Sequence, residues 1–271
     1  MLAALLIVFR EVLEAGLIIG VTLAATEGVE RRLLWVTGGM LAGAIGAGIV
    51  ASLAQRLSEA FVGAGQDVFN AAILTLAVFM LSWHTLWMSQ HGREMSANMK
   101  AMGQAVVDGH RTLWAIAAVI AIAILREGSE VVLFLFGIGA EETEGAWRMW
   151  LGGLGGLALG ALCSVLLYRG LLTIPARRLF AVTGGLVILL AAGMAGQAAA
   201  FLAQANIIPA LGDQLWDSSS ILRDDGIAGR VLHALIGYSD RPMGVQALAY
   251  VTVLVVLFAL SRVTSRQSSA S

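Results

Sequence analysis

Two motifs of one arginine and two glutamates are the parts of this sequence whose residue types and spacing could do chemistry. Both have the form Arg-Glu-x-x-Glu, and they consist of Arg10, Glu11 and Glu14 and of Arg126, Glu127 and Glu130. In a helix, the two glutamates at i and i+3 share one face, and the arginine can pair with the second glutamate at i and i+4. Four carboxylates that face one another would form a hard oxygen site suited to Fe³⁺, Fe²⁺, Mn²⁺, Mg²⁺ or Ca²⁺.

The composition indicates that these charges lie inside a membrane. Of the 271 residues, 58% are hydrophobic and 13% are charged, and the mean hydropathy is +0.83, whereas about 25% of residues in a soluble domain are charged. An ionised side chain inside a bilayer costs several kcal/mol even by the lower estimates. Six such charges in two matching motifs therefore indicate a functional site, with the glutamates as metal ligands and Arg10 and Arg126 as supporting charge.

Two other interpretations of the motifs remain open at this point. Buried Arg–Glu braces between helices would explain one glutamate per motif but would leave the second without a role. A proton relay is also open, because carboxylates inside membranes serve pumps as well. His84, which lies between Trp83 and Trp87, is a further ligand candidate, although a single histidine among apolar residues is more often satisfied by a neighbouring group.

The composition also excludes several classes of site. Cys163 is the one cysteine, so the chain has no internal disulfide, no Cys-x-x-Cys metal site and no Cys-x-x-Cys-His haem attachment. The net charge of −1 excludes a basic nucleic-acid face. The first 25 residues lack a positive leading region and contain the first motif, so they predict a membrane helix rather than a cleaved signal peptide.

The apolar segments predict an all-α membrane protein with seven transmembrane helices. A helix needs about 20 mostly apolar residues to span a bilayer. Seven windows are long enough, at about 2–25, 33–54, 68–89, 113–137, 150–170, 178–204 and 244–261. We expect one transmembrane domain over residues 1–262, a polar loop at 90–111, an outer loop at about 205–243 with a short interfacial helix at Ile227–Ile236, and a disordered tail over 263–271.

The first six helices predict a 3+3 inverted repeat, to which the seventh is added. Repeat 1 covers about 1–90 and repeat 2 about 113–204. Each motif is followed by a Thr-Glu-Gly and then a Gly-Gly, and the two copies are 114 to 117 residues apart. Because three helices fill that offset, the second copy crosses the membrane in the opposite sense, which is typical of transporters with a central site. At 1.5 Å per residue, Arg10 and Arg126 lie roughly 12 and 16 Å from the outer ends of their helices.

The loop charges predict the orientation of the chain. Ten Lys and Arg residues lie on one side and five on the side that holds the N-terminus, so the positive-inside rule places the N-terminus outside and the C-terminus in the cytoplasm. Acidic residues show the reverse bias, which leaves the outer loops acidic and would concentrate cations there. Just beyond helix 4 lies a cluster of three glutamates that could capture cations, Glu141, Glu142 and Glu144.

The paired motifs resemble those of the oxidase-dependent iron permease family, which includes bacterial EfeU-type and fungal high-affinity iron permeases. The family motif is Arg-Glu-Gly-Leu-Glu in helices 1 and 4. Here Val12 stands in place of the glycine and Ser129 in place of the leucine, and neither change removes a carboxylate. The resemblance covers nearly the whole chain and includes the loop after helix 3 and the outer segments Trp216-Asp217-Ser218 and Gly237-Tyr238.

This resemblance implies an iron permease of the cell inner membrane. The family passes Fe³⁺ inward after a separate copper or haem oxidase, or a periplasmic iron-binding protein, has supplied it. It implies the four motif glutamates as iron ligands and Asp217 as an additional outer capture residue. We expect no enzyme activity, no permanently bound cofactor and no nucleic-acid partner. The alternatives are a proton-coupled transporter of another divalent cation and a membrane anchor subunit of an oxidase complex.

Overall fold

The computed structural model describes residues 1–60, 65–141, 146–170, 176–224 and 226–267. Within these ranges the chain is all-helical. Its helices are α1 (Leu2–Ala25), α2 (Arg32–Ala60), α3 (Gln66–Val107), α4 (Leu113–Glu141), α5 (Ala146–Tyr168), α6 (Ala176–Gln204), α7 (Ile227–Ile236) and α8 (Gly244–Gln267).

Among the described residues, five helices are long and apolar enough to cross a membrane by length and composition. The apolar stretches are Arg32–Leu57, Gln66–Trp87, Trp147–Tyr168, Arg178–Gln204 and Gly244–Val263. The two motif helices, α1 and α4, are of similar length but carry three charged residues each near their middle. Every stretch of 18 residues in α1 or α4 contains all three charges of its motif, so α1 and α4 fall outside the apolar set because of the motif charges and not because of low hydropathy.

Helix α3 is longer than the sequence predicted. It was expected to end near residue 89 and to be followed by a polar loop at 90–111, but it continues to Val107 and contains 42 residues. At 1.5 Å per residue it is about 63 Å long, about twice the thickness of a hydrocarbon core. The polar segment is rich in Ala, Met, Lys, Gln and Glu, which favour helix, and the helix ends at Asp108 and Gly109, whose φ is +76°.

The C-terminal part of the chain also differs from the prediction at one point. The last membrane helix continues through Gln267, so residues 263–267, which were expected to be disordered, are helical. The guanidinium of Arg262 lies 4.8 Å from the centre of the Phe258 ring, a contact that favours helix beyond the apolar stretch. The short helix α7 has the predicted bounds and ends at Gly237, whose left-handed φ of +67° favours glycine.

Close contact between α1 and α5 depends on glycines of α5 spaced four residues apart. A Cβ on Gly152 would collide with the carbonyl oxygen of Met1. On Gly156 it would lie 2.5 Å from Leu5 O, and on Gly160 2.9 Å from Phe9 O. Small residues at this spacing let two helix backbones approach closely in a membrane. The order of the contacts shows that α1 and α5 run in the same direction.

The same arrangement joins α2 to α4. A Cβ on Gly39 would lie 2.5 Å from the carbonyl oxygen of Ala117, and one on Gly43 2.6 Å from that of Ala121. These contacts also proceed in the same direction along both helices. The described helices therefore pair crosswise, α1 with α5 and α4 with α2, while α3 and α6 pack against each other and α8 packs on α6.

Two apolar clusters lie along α1 and α4 on either side of the motifs. One includes Ala4 and Ile7 of α1 and Phe134 and Ile138 of α4, with Leu74, Ala77, Leu81 and several α6 residues. The other joins Ile116 and Ile120 of α4 to Val36 and Val106, with Ile19 and Leu23 of α1 packed against it. Each cluster combines the beginning of one motif helix with the end of the other, so α1 and α4 are antiparallel and their motifs meet between the clusters.

Candidate metal centre

The first motif is entirely buried in the middle of α1. The side chains of Arg10, Glu11 and Glu14 are between 1 and 4% exposed. Arg10 Nη2 lies 3.0 Å from Glu14 Oε1, and Nη1 lies 3.4 Å from Glu11 Oε1. The predicted i, i+4 ion pair is therefore present, and one guanidinium contacts both carboxylates of its own motif.

The second motif, on α4, has the same ion pair in a more open setting. Arg126 Nε lies 3.2 Å from Glu130 Oε1, and the Arg126 side chain is 38% exposed. Its guanidinium lies 5.2 Å from the centre of the Trp87 ring, an arrangement that stabilises a cation on an aromatic face. Glu127 and Glu130 are both buried.

His84 of α3 lies between the second glutamates of the two motifs. Its ring is 2% exposed, with Nε2 2.7 Å from Glu14 Oε2 and Nδ1 2.6 Å from Glu130 Oε2. Sequence reasoning gave this residue little weight, because its position in an apolar helix between two tryptophans resembles an ordinary buried histidine. Only the packing of α3 against α1 and α4 places it in the site.

Donor atoms from three helices converge beside this histidine. Glu11, His84, Glu127 and Glu130 each offer one ligand atom, and these atoms all lie within 4.8 Å of one another. Within the described residues, the Oε2 atoms of Glu11, Glu127 and Glu130 are buried without a hydrogen-bond partner. A buried unpaired carboxylate oxygen is costly, so these atoms fit a site that receives a cation. Glu14 lies outside this group, because Arg10 and His84 contact its two oxygens.

Comparison with known proteins identifies the family of the chain. The model of the iron permease FTR1 family matches residues 1–266. The chain belongs to that family. The match extends over both motifs, the loop between α6 and α8 and most of the last helix of this iron permease.

Several curated relatives of the permease come from enteric bacteria. The ferrous iron permease EfeU of Shigella sonnei is 27% identical over 96% of each chain, and that of Yersinia pestis is 24% identical over 100% of this chain and 96% of its own. A relative from Escherichia coli K12, 27% identical over 96% of each chain, is named as an inactive ferrous iron permease EfeU. No solved structure matches the chain.

Asp217, which was predicted to capture cations, is already engaged within the loop between α6 and α8. Its Oδ1 accepts hydrogen bonds from the backbone N–H and the hydroxyl of Ser219, and Oδ2 lies 3.2 Å from Arg241 Nε. The Ser219 hydrogen bonds, together with Arg241, lower the pKa of Asp217 to about 2. Glu142 and Glu144 lie outside the described residues, as does the side chain of Glu141.

A cleft lies along the second half of α1 of the permease, between the first motif and the end of the helix. Its volume is about 560 Å³, and it starts at Gly16 and Leu17, within one helical turn of Glu14. It continues past Gly20 and Ala24 to the end of α1, between that helix, α5 and the extension of α3. Lys100 and Gln104 are among the residues that line its far end, so the cleft changes from small apolar residues to polar ones.

Proposed function

We propose that this chain imports iron across the cytoplasmic membrane through one site shared by its two Arg-Glu-x-x-Glu motifs. The observation that carries the proposal is the meeting of both motifs in one buried cluster, with three carboxylate oxygens that lack a hydrogen-bond partner. A brace alone would pair these oxygens with arginines. The family membership makes iron the cation to test.

An inverted repeat of helices 1–3 and 4–6, within a frame of seven membrane helices, is part of this proposal. The crosswise pairing supports it, because Gly152 and Gly156 approach Met1 and Leu5 while Gly39 and Gly43 approach the carbonyls of Ala117 and Ala121. Gly152 and Gly156 follow Gly39 and Gly43 by 113 residues, and Ala117 and Ala121 follow Met1 and Leu5 by 116 residues. Repeats of this kind place transport sites at their interface.

The motif glutamates bind the ion in an occluded position. The apolar cluster containing Ile7 and Phe134 separates the site from one end of α1, and the cluster containing Ile120 separates it from the other. With the N-terminus outside, iron enters past the Ile7 cluster and leaves through the cleft that starts at Gly16. The acidic outer loops, including Asp217 and the Glu141, Glu142 and Glu144 segment, attract the ion before entry.

The cleft is tested by filling it. A Cβ on Gly20 would lie 3.6 Å from the Tyr168 ring, an ordinary contact, so Gly20→Ala serves as a control with near-normal uptake. Gly20→Phe should lower uptake about 10-fold, one decade for each 1.4 kcal/mol of added barrier, while iron binding is retained. Normal uptake by Gly20→Phe would place the release route elsewhere.

The valence of the iron distinguishes two versions of the proposal. The resemblance to oxidase-dependent permeases implies Fe³⁺ supplied by a partner oxidase or an iron-binding protein, whereas the bacterial relatives are named ferrous iron permeases. Carboxylates bind both ions. Offering each ion separately to the isolated chain therefore tests the need for an oxidase.

The decisive experiment is ⁵⁵Fe uptake into proteoliposomes that contain only this chain. We expect uptake by the wild type and loss of uptake in the Glu14→Gln/Glu130→Gln variant, which keeps side-chain size and removes two charges. Glu27→Gln/Glu30→Gln is the matched control, because both residues are exposed and far from the motifs along the chain. Normal ⁵⁵Fe uptake by the motif variant would contradict the proposal. Transport that requires a proton gradient but no iron binding at the motifs would favour the proton relay.

A further inference from the structure

The geometry points to His84 as a direct ligand of the transported ion, through Nδ1, and as the residue that makes the site prefer transition metals to Mg²⁺ and Ca²⁺. This inference rests on the proposed function and deepens it. It changes a site of four carboxylates into one of three carboxylates and one imidazole. In this arrangement Glu14 is a positioning residue that holds the histidine and does not touch the ion.

The distances around His84 fit the edges of a coordination shell. Nitrogen and oxygen ligands of first-row metals lie about 2.0–2.2 Å from the ion, so opposite ligands are separated by up to about 4.4 Å. The four donor atoms lie within 4.8 Å of one another, so shifts of a few tenths of an ångström would bring them to one ion. Large rearrangement of α1, α3 or α4 is not needed.

His84 Nδ1 lies against the charged groups of the second motif, 2.6 Å from Glu130 Oε2 and 3.3 Å from Arg126 Nη2. Glu130 Oε2 nevertheless has no hydrogen-bond partner among the described residues, so it and Nδ1 approach without hydrogen-bond alignment. Adjacent lone pairs that are not joined by a proton repel each other. An ion bound by both atoms would remove that repulsion, because ligands about 2.1 Å from one ion are about 3 Å apart when adjacent. It would also replace the Arg126 contact on Nδ1, and Glu11 and Glu127 would supply the remaining donors.

The other ring nitrogen has the partner that a metal-bound histidine normally has. Nε2 lies 2.7 Å from Glu14 Oε2, and Glu14 Oε1 lies 3.0 Å from Arg10. Metal-ligating histidines usually donate the second ring N–H to a carboxylate, which fixes the tautomer and leaves the first nitrogen free to bind the ion. Glu14 is thus held by Arg10 and orients His84.

An imidazole in the shell provides selectivity that carboxylates lack. Carboxylate oxygens suit Mg²⁺, Ca²⁺ and Mn²⁺, whereas imidazole suits Fe, Zn, Cu and Ni. A site made only of glutamates would also take the abundant hard cations. Replacing one oxygen by Nδ1 of His84 therefore raises affinity for iron relative to Mg²⁺ and Ca²⁺.

The test combines metal titration with spectroscopy on the full chain in detergent. Fe²⁺ is titrated anaerobically, with and without Mg²⁺ as competitor, and bound iron is examined by X-ray absorption for the outer-shell signature of an imidazole ring. His84→Gln should lose that signature and bind Fe²⁺ about 10–100-fold more weakly, with Mg²⁺ affinity little changed. His84→Glu should bind metal again but prefer Mg²⁺ and Ca²⁺. His110→Gln, at an exposed position in the turn between α3 and α4, is the matched control and should keep the signature.

Two results would overturn the inference. One is wild-type iron without an imidazole signature, which decides the matter even if the His84 variants do not fold. The other is a His84→Gln variant whose Fe²⁺ and Mg²⁺ affinities fall in equal proportion, as expected of a histidine that only positions glutamates. The Glu11→Gln/Glu127→Gln variant in the same titration distinguishes the two proposals. If this variant binds iron as well as the wild type, the shared site itself is contradicted. If it loses iron binding while His84→Gln binds iron normally, only the role of His84 is contradicted.

Discussion

The two Arg-Glu-x-x-Glu motifs have identical charged residues and different surroundings. On α1, Arg10 is 4% exposed and contacts both glutamates of its motif. On α4, Arg126 is 38% exposed, contacts Glu130 and lies over Trp87. The α1 copy is therefore a closed ion-pair network and the α4 copy an open one. Equal sequence spacing therefore does not give equal burial, and burial determines how much each charge contributes to the stability of the protein.

The central positions of the motifs differ in a complementary way. Val12 on α1 faces Gly160, where an added Cβ would lie 2.8 Å from the Val12 Cβ. On α4 the motif itself has the glycine, Gly128, and the partner helix has Ala47, 2.6 Å from a Cβ placed on Gly128. In each pair a glycine on one helix accommodates a side chain on the other. The substitution of valine for the family glycine at position 12 is thus compensated by Gly160.

The largest expected effect separates the two arginines. Arg10→Met leaves Glu11 and Glu14 buried without their cation, which costs about 3–5 kcal/mol for a broken buried pair. Arg126→Met removes a partly exposed pair, for which about 1 kcal/mol is expected. Thermal unfolding in detergent and ⁵⁵Fe uptake measure both effects. We expect Arg10→Met to lose uptake and much of its stability and Arg126→Met to lose less of each.

The conservative variants sharpen this difference. Arg10→Lys should impair uptake, because lysine lacks the planar fork that reaches two carboxylates. Arg126→Lys keeps the charge beside Glu130 and should be closer to wild type. Equal losses for the two lysine variants would show that burial does not distinguish the motifs.

An intermediate effect is expected from the paired small residues. Gly128→Ala should destabilise the α2–α4 contact by about 1–3 kcal/mol through overpacking, and Ala47→Gly in the same chain should restore most of that loss. Gly160→Ala should be rescued less by Val12→Gly, because its Cβ would also lie 2.9 Å from the carbonyl oxygen of Phe9. Unfolding of single and double variants, compared in a double-mutant cycle, measures both couplings. Rescue of equal size in the two pairs contradicts this account of the α1–α5 contact.

The smallest effect is expected from a carboxylate outside both motifs. Asp217 is bound to Ser219 and Arg241, and its pKa is lowered to about 2. Because the pKa is lowered, the contacts of the ionised carboxylate stabilise the loop fully at pH values above the ordinary aspartate pKa near 4. They are lost only as the pH falls towards 2. Asp217→Asn should therefore change uptake less than about 2-fold and leave its pH profile between 5 and 8 unchanged. A large loss at neutral pH would instead assign Asp217 a direct part in iron capture.

Much of this fold follows from local sequence properties. The charged motifs, the apolar windows and the short helix at Ile227–Ile236 are visible as patterns, because hydropathy and helix periodicity are local. The continuation of α3 to Val107 was missed because a polar segment was taken as a loop, although its residues favour helix. Residues 263–267 were also expected to lack structure because they are polar, but they continue the last helix beyond its apolar stretch.

The site was predicted less completely than the fold. The convergence of Glu11, Glu127 and Glu130 could be expected from two matching motifs on antiparallel helices. The position of His84 depends on how α3 packs between α1 and α4, which no local pattern of residues 83–87 contains. The separation of Glu14 from the other three carboxylates likewise depends on the contacts that Arg10 and His84 make, so equal motif positions acquired unequal surroundings.

The claim that both motifs form one site is tested most directly by the stoichiometry of iron binding. Equilibrium binding of ⁵⁵Fe to the purified chain is measured for the wild type and for Glu11→Gln and Glu127→Gln separately. One shared site predicts one ion per wild-type chain and almost no high-affinity binding in either single variant. Two ions per wild-type chain, with one ion left in each variant, would contradict the shared site and assign each motif an ion of its own.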